Sequence, residues 1–189
     1  MSTARQLRYS YEDYLRSLEQ SELKLEYCQG VIYAMAGGTP THAELGAAAI
    51  GLFRQALLGR CSVFSSDAKV RVEASDFSAF PDASIVCGER MVSPIDSNAL
   101  INPSVLIEVT SRSTEEYDRG EKLSHYQLLP SLCAVVFISH REARVTVVER
   151  GVTGWTERHL GPKDRVSIAQ PAVSIAVEEL YAGIALEPR

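Results

Sequence analysis

No stretch of the 189 residues approaches the ~20 consecutive apolar residues that a helix needs to cross a bilayer. The opening MSTARQLRYSYEDY also has no hydrophobic core of the kind that directs secretion. The expectation is a cytoplasmic protein with no membrane partner. Cysteine is scarce and scattered: Cys28, Cys61, Cys87 and Cys133 stand singly, with no CxxC pair and no histidine beside them at zinc-ligand spacing. Four reduced thiols filling strands are expected. Positive charge is short as well. With 19 Lys+Arg against 24 Asp+Glu the formal charge is −5, which excludes a protein that holds nucleic acid by its overall charge. It does not exclude a local basic patch, and a bound divalent cation can offset carboxylates.

Other absences narrow the chemistry. There is no GxSxG, no P-loop, no HExxH and no Gly-rich dinucleotide turn. Ser111 and Ser113 read as strand-end and helix-cap residues, so a serine hydrolase has no support. Neither an internal repeat nor a low-complexity linker divides the chain. With 46% hydrophobic and 23% charged residues, residues 1–189 have the balance of one globular domain with a sizeable core.

What is present alternates between helical and strand periods. SYEDYLRSLEQ has a serine cap, early acidic residues, and Tyr11, Tyr14, Leu15 and Leu18 at helical spacing. LKLEY, a Gln29-Gly30 turn and VIYAMAG form a β-hairpin pattern. Residues 41–58 place Leu45, Ala49, Leu52, Phe53 and Ala56 on one helical face, ending at Gly59. Three strands follow, CSVFSSDAKVRV, DASIVCG and SVLIEVT. The loop over 88–103 is expected to be the most mobile element. Ser113, with Glu116 three residues on, opens a second helix as a capping box, and Pro130 stops it. LCAVVFIS, ARVTVVER, a turn over 151–154 and short strands through Trp155 and 166–168 complete the chain. The fold class is α+β, a mixed sheet of four to five strands flanked by helices, with an added carboxy-terminal β layer. The apolar tail strands suggest a homodimer.

Glu108 is the main anomaly, because Val105, Leu106, Ile107 and Val109 fill both faces of its strand and mark it as central. A buried carboxylate must take a cation, a metal or a proton as partner. Asp82 follows Pro81 at the entrance of the DASIVC strand, where a Pro-Asp pair is also a common turn element. Two carboxylates on adjacent strands make a hard oxygen site suited to Mg²⁺. Lys122 lies four residues after Asp118 on the following helix, with Tyr126 continuing the stripe. Exposed, the pair would contribute ~0.3–0.5 kcal/mol; facing the sheet, the lysine could orient a water and offset charge on a phosphate. Glu26 sits in the alternating LKLEY, where a solvent-facing Glu is ordinary. His42, near a helix amino terminus, can cap or pack as a neutral ring. Asp67 and Lys69 share a strand face and read as supporting polar neighbours.

Several pieces together resemble one family: LKLEYCQGVIYAMAG followed by His42, SSDAKVRV, FPDASIV, and PSVLIEVTSRSTEEYDRGEKLSHYQLLP. Across almost its whole length the chain is similar to the Uma-two family of restriction endonuclease-like proteins, a branch of the PD-(D/E)XK nuclease superfamily. That resemblance implies a restriction-endonuclease-like core and hydrolysis of DNA. It implies Mg²⁺ or Mn²⁺ held by Asp82, Glu108 and the carbonyl of Val109, with Lys122 as catalytic lysine. It also implies a place for Glu26 beside a metal-bound water or a second ion, and matches His42, Asp118 and Tyr126 to recurrent positions. The literal motif would put lysine at position 110, where this chain has Thr110; the lysine function moves to the helix. A different class of reading stays open: an inactive nucleic-acid-binding or assembly module on the same scaffold.

Overall fold

The computed structural model describes residues 7–35, 37–111 and 114–186. Ser10 accepts a hydrogen bond from the Asp13 amide while the Asp13 carboxylate accepts from the Ser10 amide, and this capping box starts α1 (Tyr11–Gln20). The helix presents Tyr11 and Tyr14 to Tyr27, a cluster of rings with centroids 5.3 Å apart. Tyr27 lies on β1 (Leu25–Cys28), joined to β2 (Val31–Ala34) through Gln29 and Gly30. Both turn residues have positive φ, +48° and +92°, as a tight hairpin matched to strand twist requires. Thr39 caps α2 (Pro40–Ala56), with Pro40 at its first turn where no amide partner is lost. Its buried stripe is Leu45, Ala49 and Phe53, continued by Leu57; Ala56, expected on that face, is exposed.

The segment 61–72 is not one strand. It breaks at a turn over 66–68 into β3 (Cys61–Ser65) and β4 (Lys69–Val72), which enter different sheets. β5 (Phe77–Ala79), β6 (Ala83–Cys87), β7 (Val92–Ser93), β8 (Asp96–Leu100) and β9 (Val105–Thr110) follow. Residues 88–103 are thus not a mobile loop. β7 and β8 form a hairpin, β8 pairs in parallel with β4, and Asn102 ties its base to the Met91 amide and the Glu89 carbonyl.

After β9 the chain passes through α3 (Glu115–Tyr117), a π turn (Asp118–Lys122) and α4 (Leu123–Tyr126), a helical run ending four residues before Pro130. The proposed capping residue Ser113 lies outside the described residues. The remaining elements are β10 (Ala134–Ser139), β11 (Val145–Gly151), β12 (Gly154–Leu160), β13 (Arg165–Ile168), β14 (Val173–Ala176) and α5 (Val177–Leu180). Instead of one sheet of four or five strands there are two of six, ordered β2-β1-β5-β4-β8-β7 and β12-β11-β10-β9-β6-β3, plus the β13-β14 pair. The first arises because the short strands over 69–79 and 92–100 pair with the hairpin rather than with the central strands. The class is mixed α+β, with β9 and β10 parallel and β6 antiparallel to β9.

Each face of the second sheet carries a core. On one, Ile85, Ile107 and Val136 pack with Leu45 and Phe53 of α2. On the other, Leu106, Val135 and Phe137 meet Val70 and Phe77 of the first sheet and Tyr126 of α4. The tail residues Val166, Ile168, Ile175 and Leu180 belong to the first of these cores, so the apolar character that suggested a second copy is used within the chain. Among the described residues no helix is long and apolar enough to cross a membrane. The expectation of four free thiols fails for one pair: Cys61 and Cys87 stand directly opposite on β3 and β6, Cα atoms 4.2 Å apart, and are joined as a disulfide. Neither residue is near the other in sequence, so only strand register could bring them together. Cys28 and Cys133 are free.

Candidate functional site

The site is built where the two sheets and the helical run meet. β9 is buried along its whole length, so Glu108 enters the interior from a strand held on both sides, opposite Phe137 of β10. The register that pairs Ala83 with Ile107 brings Asp82, one residue earlier, level with Glu108. Asp82 accepts a hydrogen bond from the Val109 amide at 2.7 Å. Glu26 comes from β1, where it is buried rather than solvent-facing and accepts a bond from the Phe80 amide at 3.3 Å. Asp118 and Lys122 begin and end the π turn, both buried.

These side chains converge on one ammonium. Lys122 Nζ lies 3.1 Å from Glu26 Oε1, 3.1 Å from Glu108 Oε1 and 3.6 Å from Asp118 Oδ1. The Tyr126 hydroxyl donates to the same Glu108 Oε1 at 2.8 Å. His42, at the amino end of α2, places Nε2 3.4 Å from Asp82 Oδ2. Glu26, Glu108, Asp118, Lys122 and Tyr126 thus form one connected group, and Asp82 with His42 forms a second that is tied to the same strand through the amide of Val109, next to Glu108. The π turn contributes by widening the helix locally, a distortion often found at functional sites.

Charge is out of balance in this group. Burial pushes the Glu108 carboxyl up to about 8, with Asp118, Asp82 and Glu26 adding to the effect and Lys122 opposing it. Burial likewise raises Asp118. Burial works against the Lys122 ammonium, yet Glu108, Glu26 and Asp118 outweigh it and hold its pKa above the ordinary lysine value. The hydrogen bond to Asp82 raises His42 against the opposing effect of burial. Glu26, Asp82, Glu108 and Asp118 therefore exceed the positive charge at hand, and the cluster must retain a proton or accept a cation. Carboxylate oxygens and a backbone carbonyl are the donors that hard divalent cations use, so the residues present fit such an ion.

The supporting role expected of Asp67 and Lys69 changes. Asp67 and Lys69 do not support this site: Asp67 is an exposed turn residue paired with Lys24 at 3.0 Å, while Lys69 is buried against Asp96 at 2.6 Å in another network. The reason is the break between β3 and β4. Thr110 is buried and, with Glu115, Arg119, Ser139, Arg144 and Thr146, lines a small recess beyond the carboxylates. Tyr117 was missed. Its hydroxyl is sealed from solvent without a hydrogen-bond partner among the described residues, within electrostatic range of Glu26 and Lys122. A tyrosine one position from Asp118 carries no sequence signal that separates it from a core aromatic.

Residues 11–182 match the Uma2 (Uma-two) family, described as "Putative restriction endonuclease". The chain belongs to the Uma-two family. Two uncharacterized proteins of Synechocystis sp. are similar to this Uma-two chain. One is 31% identical over 180 residues, covering 94% of each chain, and the other 29% identical over 121 residues, 64% of this chain and 68% of its own. In fold, the Uma-two chain matches the crystal structure of a "putative nuclease belonging to DUF820" from Anabaena variabilis, with a TM-score of 0.76 at 16% identity, over 92% of this chain and 98% of that one. The sequence resemblance and the restriction-endonuclease-like fold are both borne out.

Proposed function

We propose that this chain is a single-domain, metal-dependent endonuclease that hydrolyses phosphodiester bonds in DNA, using Asp82, Glu108 and Lys122. One observation carries the reading. Carboxylates from two strands and a helical turn converge on a single buried lysine, with an excess of negative charge that Glu108 cannot hold uncompensated. A purely structural ion cluster would be expected to balance its charges, since each uncompensated buried charge costs several kcal/mol. Asp82, Glu108 and the Val109 carbonyl would hold Mg²⁺ or Mn²⁺. When bound, that ion supplies charge neutralisation at the scissile phosphate and acidifies the attacking water.

The chain's own residues do the rest. Lys122 is held charged, so it serves as a fixed cation that aligns water and offsets charge on the pentavalent phosphate. Tyr126 and the lysine fix the orientation of Glu108 through Oε1. Glu26 sets the position of Lys122 from the opposite side. His42 steadies Asp82, and Asp118 completes the cage. Arg119, Arg141 and Arg144 gather beside Thr110, where Glu115, Glu142 and Glu157 pair with them; the cluster is charge-balanced, and a DNA backbone would have to take these guanidinium groups over from the three carboxylates.

The test is incubation of purified protein with plasmid and oligonucleotide DNA, with and without Mg²⁺ or Mn²⁺, beside Asp82→Ala and Lys122→Ala. Cleavage that needs the ion and falls at least about a hundredfold in both variants is the expected result, in line with loss of a group stabilising transition-state charge. Equal cleavage by wild type and variants would mean contamination. No cleavage of any substrate would favour the inactive binding module instead.

A further inference from the structure

A second group of ligand-type side chains lies outside the carboxylate cage. Cys28 is two residues beyond Glu26 on β1 and shares its face. Its Sγ is 3.5 Å from His125 Nε2 and 3.6 Å from Glu121 Oε1, and the three ligand atoms all lie within 4.8 Å of one another. Glu121 and His125 are four residues apart on the helical run, the spacing that points two ligands from one helix to one ion. Nothing in the sequence joins them to Cys28, 93 residues before Glu121.

The distances have a specific meaning. A tetrahedral zinc ion with Zn–S of about 2.3 Å and Zn–N or Zn–O of about 2.0 Å sets its ligand atoms roughly 3.5 Å apart. Both contacts made by Cys28 fall at that separation. The ring that supplies Nε2 is immobilised by Phe77, stacked at 4.4 Å between centroids and 4° between planes. Among the described residues, Cys28 Sγ and His125 Nε2 have no hydrogen-bond partners outside this group. Cys28 and His125 are buried while Glu121 is exposed, which gives an ion a path from solvent. The sealed hydroxyl of Tyr117, without a hydrogen-bond partner among the described residues, is within electrostatic range of both Cys28 and Glu121.

We propose that Cys28, Glu121 and His125 bind one borderline-soft divalent ion of the Zn²⁺ class, with water in the fourth position. A thiolate, a carboxylate and a neutral imidazole balance the ion's two charges. The thiolate selects against Mg²⁺, which uses the all-oxygen donors of the cage. The bound ion clips β1 to the π turn, between Glu26 and Lys122, and so fixes the partners that the cage depends on. This site does not rest on the nuclease reading.

The experiment uses the full chain stripped of metal. Co²⁺ serves as a spectroscopic stand-in, and Zn²⁺ is titrated against a chromophoric chelator. One equivalent should bind with a thiolate-to-cobalt charge-transfer band in the near ultraviolet. Cys28→Ala should abolish the band, and His125→Gln should weaken Zn²⁺ about a hundredfold or more, since loss of even an outer-shell partner costs 10–100-fold. Cys133→Ala, Asp82→Asn and Glu108→Gln should keep both band and affinity, which separates this site from the cage. Absence of the band in wild type, or unchanged Zn²⁺ affinity in Cys28→Ala and His125→Gln, overturns the proposal. If circular dichroism shows Cys28→Ala unfolded, the wild-type cobalt spectrum decides alone.

Discussion

Glu108 couples the chemistry of the site to the stability of the chain. Its folded pKa is raised to about 8 from an ordinary value near 4.5, so between these values the folded state holds a proton that the unfolded state has lost. The associated stability is complete below about pH 4.5 and disappears as pH rises through 8. Asp118 and His42, both raised, act with the same sign. In metal-free buffer the melting temperature should therefore fall from pH 5 to pH 8. Glu108→Gln should flatten most of that slope, and a wild-type profile that rises over this range would contradict the assignment. Lys122 gives a second test. Removing it leaves Glu26, Glu108 and Asp118 without their shared cation, a loss of about 3–5 kcal/mol for a broken buried ion pair. Urea titration of Lys122→Met should show this. Adding Glu108→Gln should cost less than the sum of the two single changes, by about 1 kcal/mol or more, because the groups are in contact.

At the scale of elements, two local devices should be separable from the site. The capping box of α1 predicts that Ser10→Ala lowers stability by about 1 kcal/mol, measurable by chemical denaturation. The link between Cys61 and Cys87 spans 26 residues, and closure of a loop of that length is worth about 3.5 kcal/mol in the chain-entropy account. Reduction, or Cys61→Ser, should lower the urea midpoint accordingly. Helix α2 was legible from its apolar stripe, the first hairpin from Gln29-Gly30, and α1 from its serine cap. The π turn was not. An expanded turn keeps the same residue types as an α-turn and shows itself only in which carbonyls the amides reach.

For the molecule as a whole, a net charge of −5 sets the terms on which DNA can be held. Binding should depend on the divalent ion and on the arginines around Glu115. In fluorescence anisotropy with labelled duplex, Arg141→Ala with Arg144→Ala should reduce the slope of log affinity against log salt by about 2, one for each phosphate that an arginine no longer neutralises. An unchanged slope would remove this patch from the interface.

The sequence by itself determined the strands that must be buried, the helical stripe of α2, the turn at Gly30, and the suspicion attached to Glu108. These are local properties, since periodicity, positive φ and a carboxylate amid apolar residues are read within a few positions. Tertiary structure decided everything that depends on register and sheet membership. It separated β3 from β4 and took Asp67 and Lys69 away from the site. It buried Glu26, and it placed Cys61 against Cys87 and Cys28 against His125. Pairings of that kind join residues 26 to 97 positions apart. No local pattern encodes them, because the energy that selects one register over another comes from packing whole faces together.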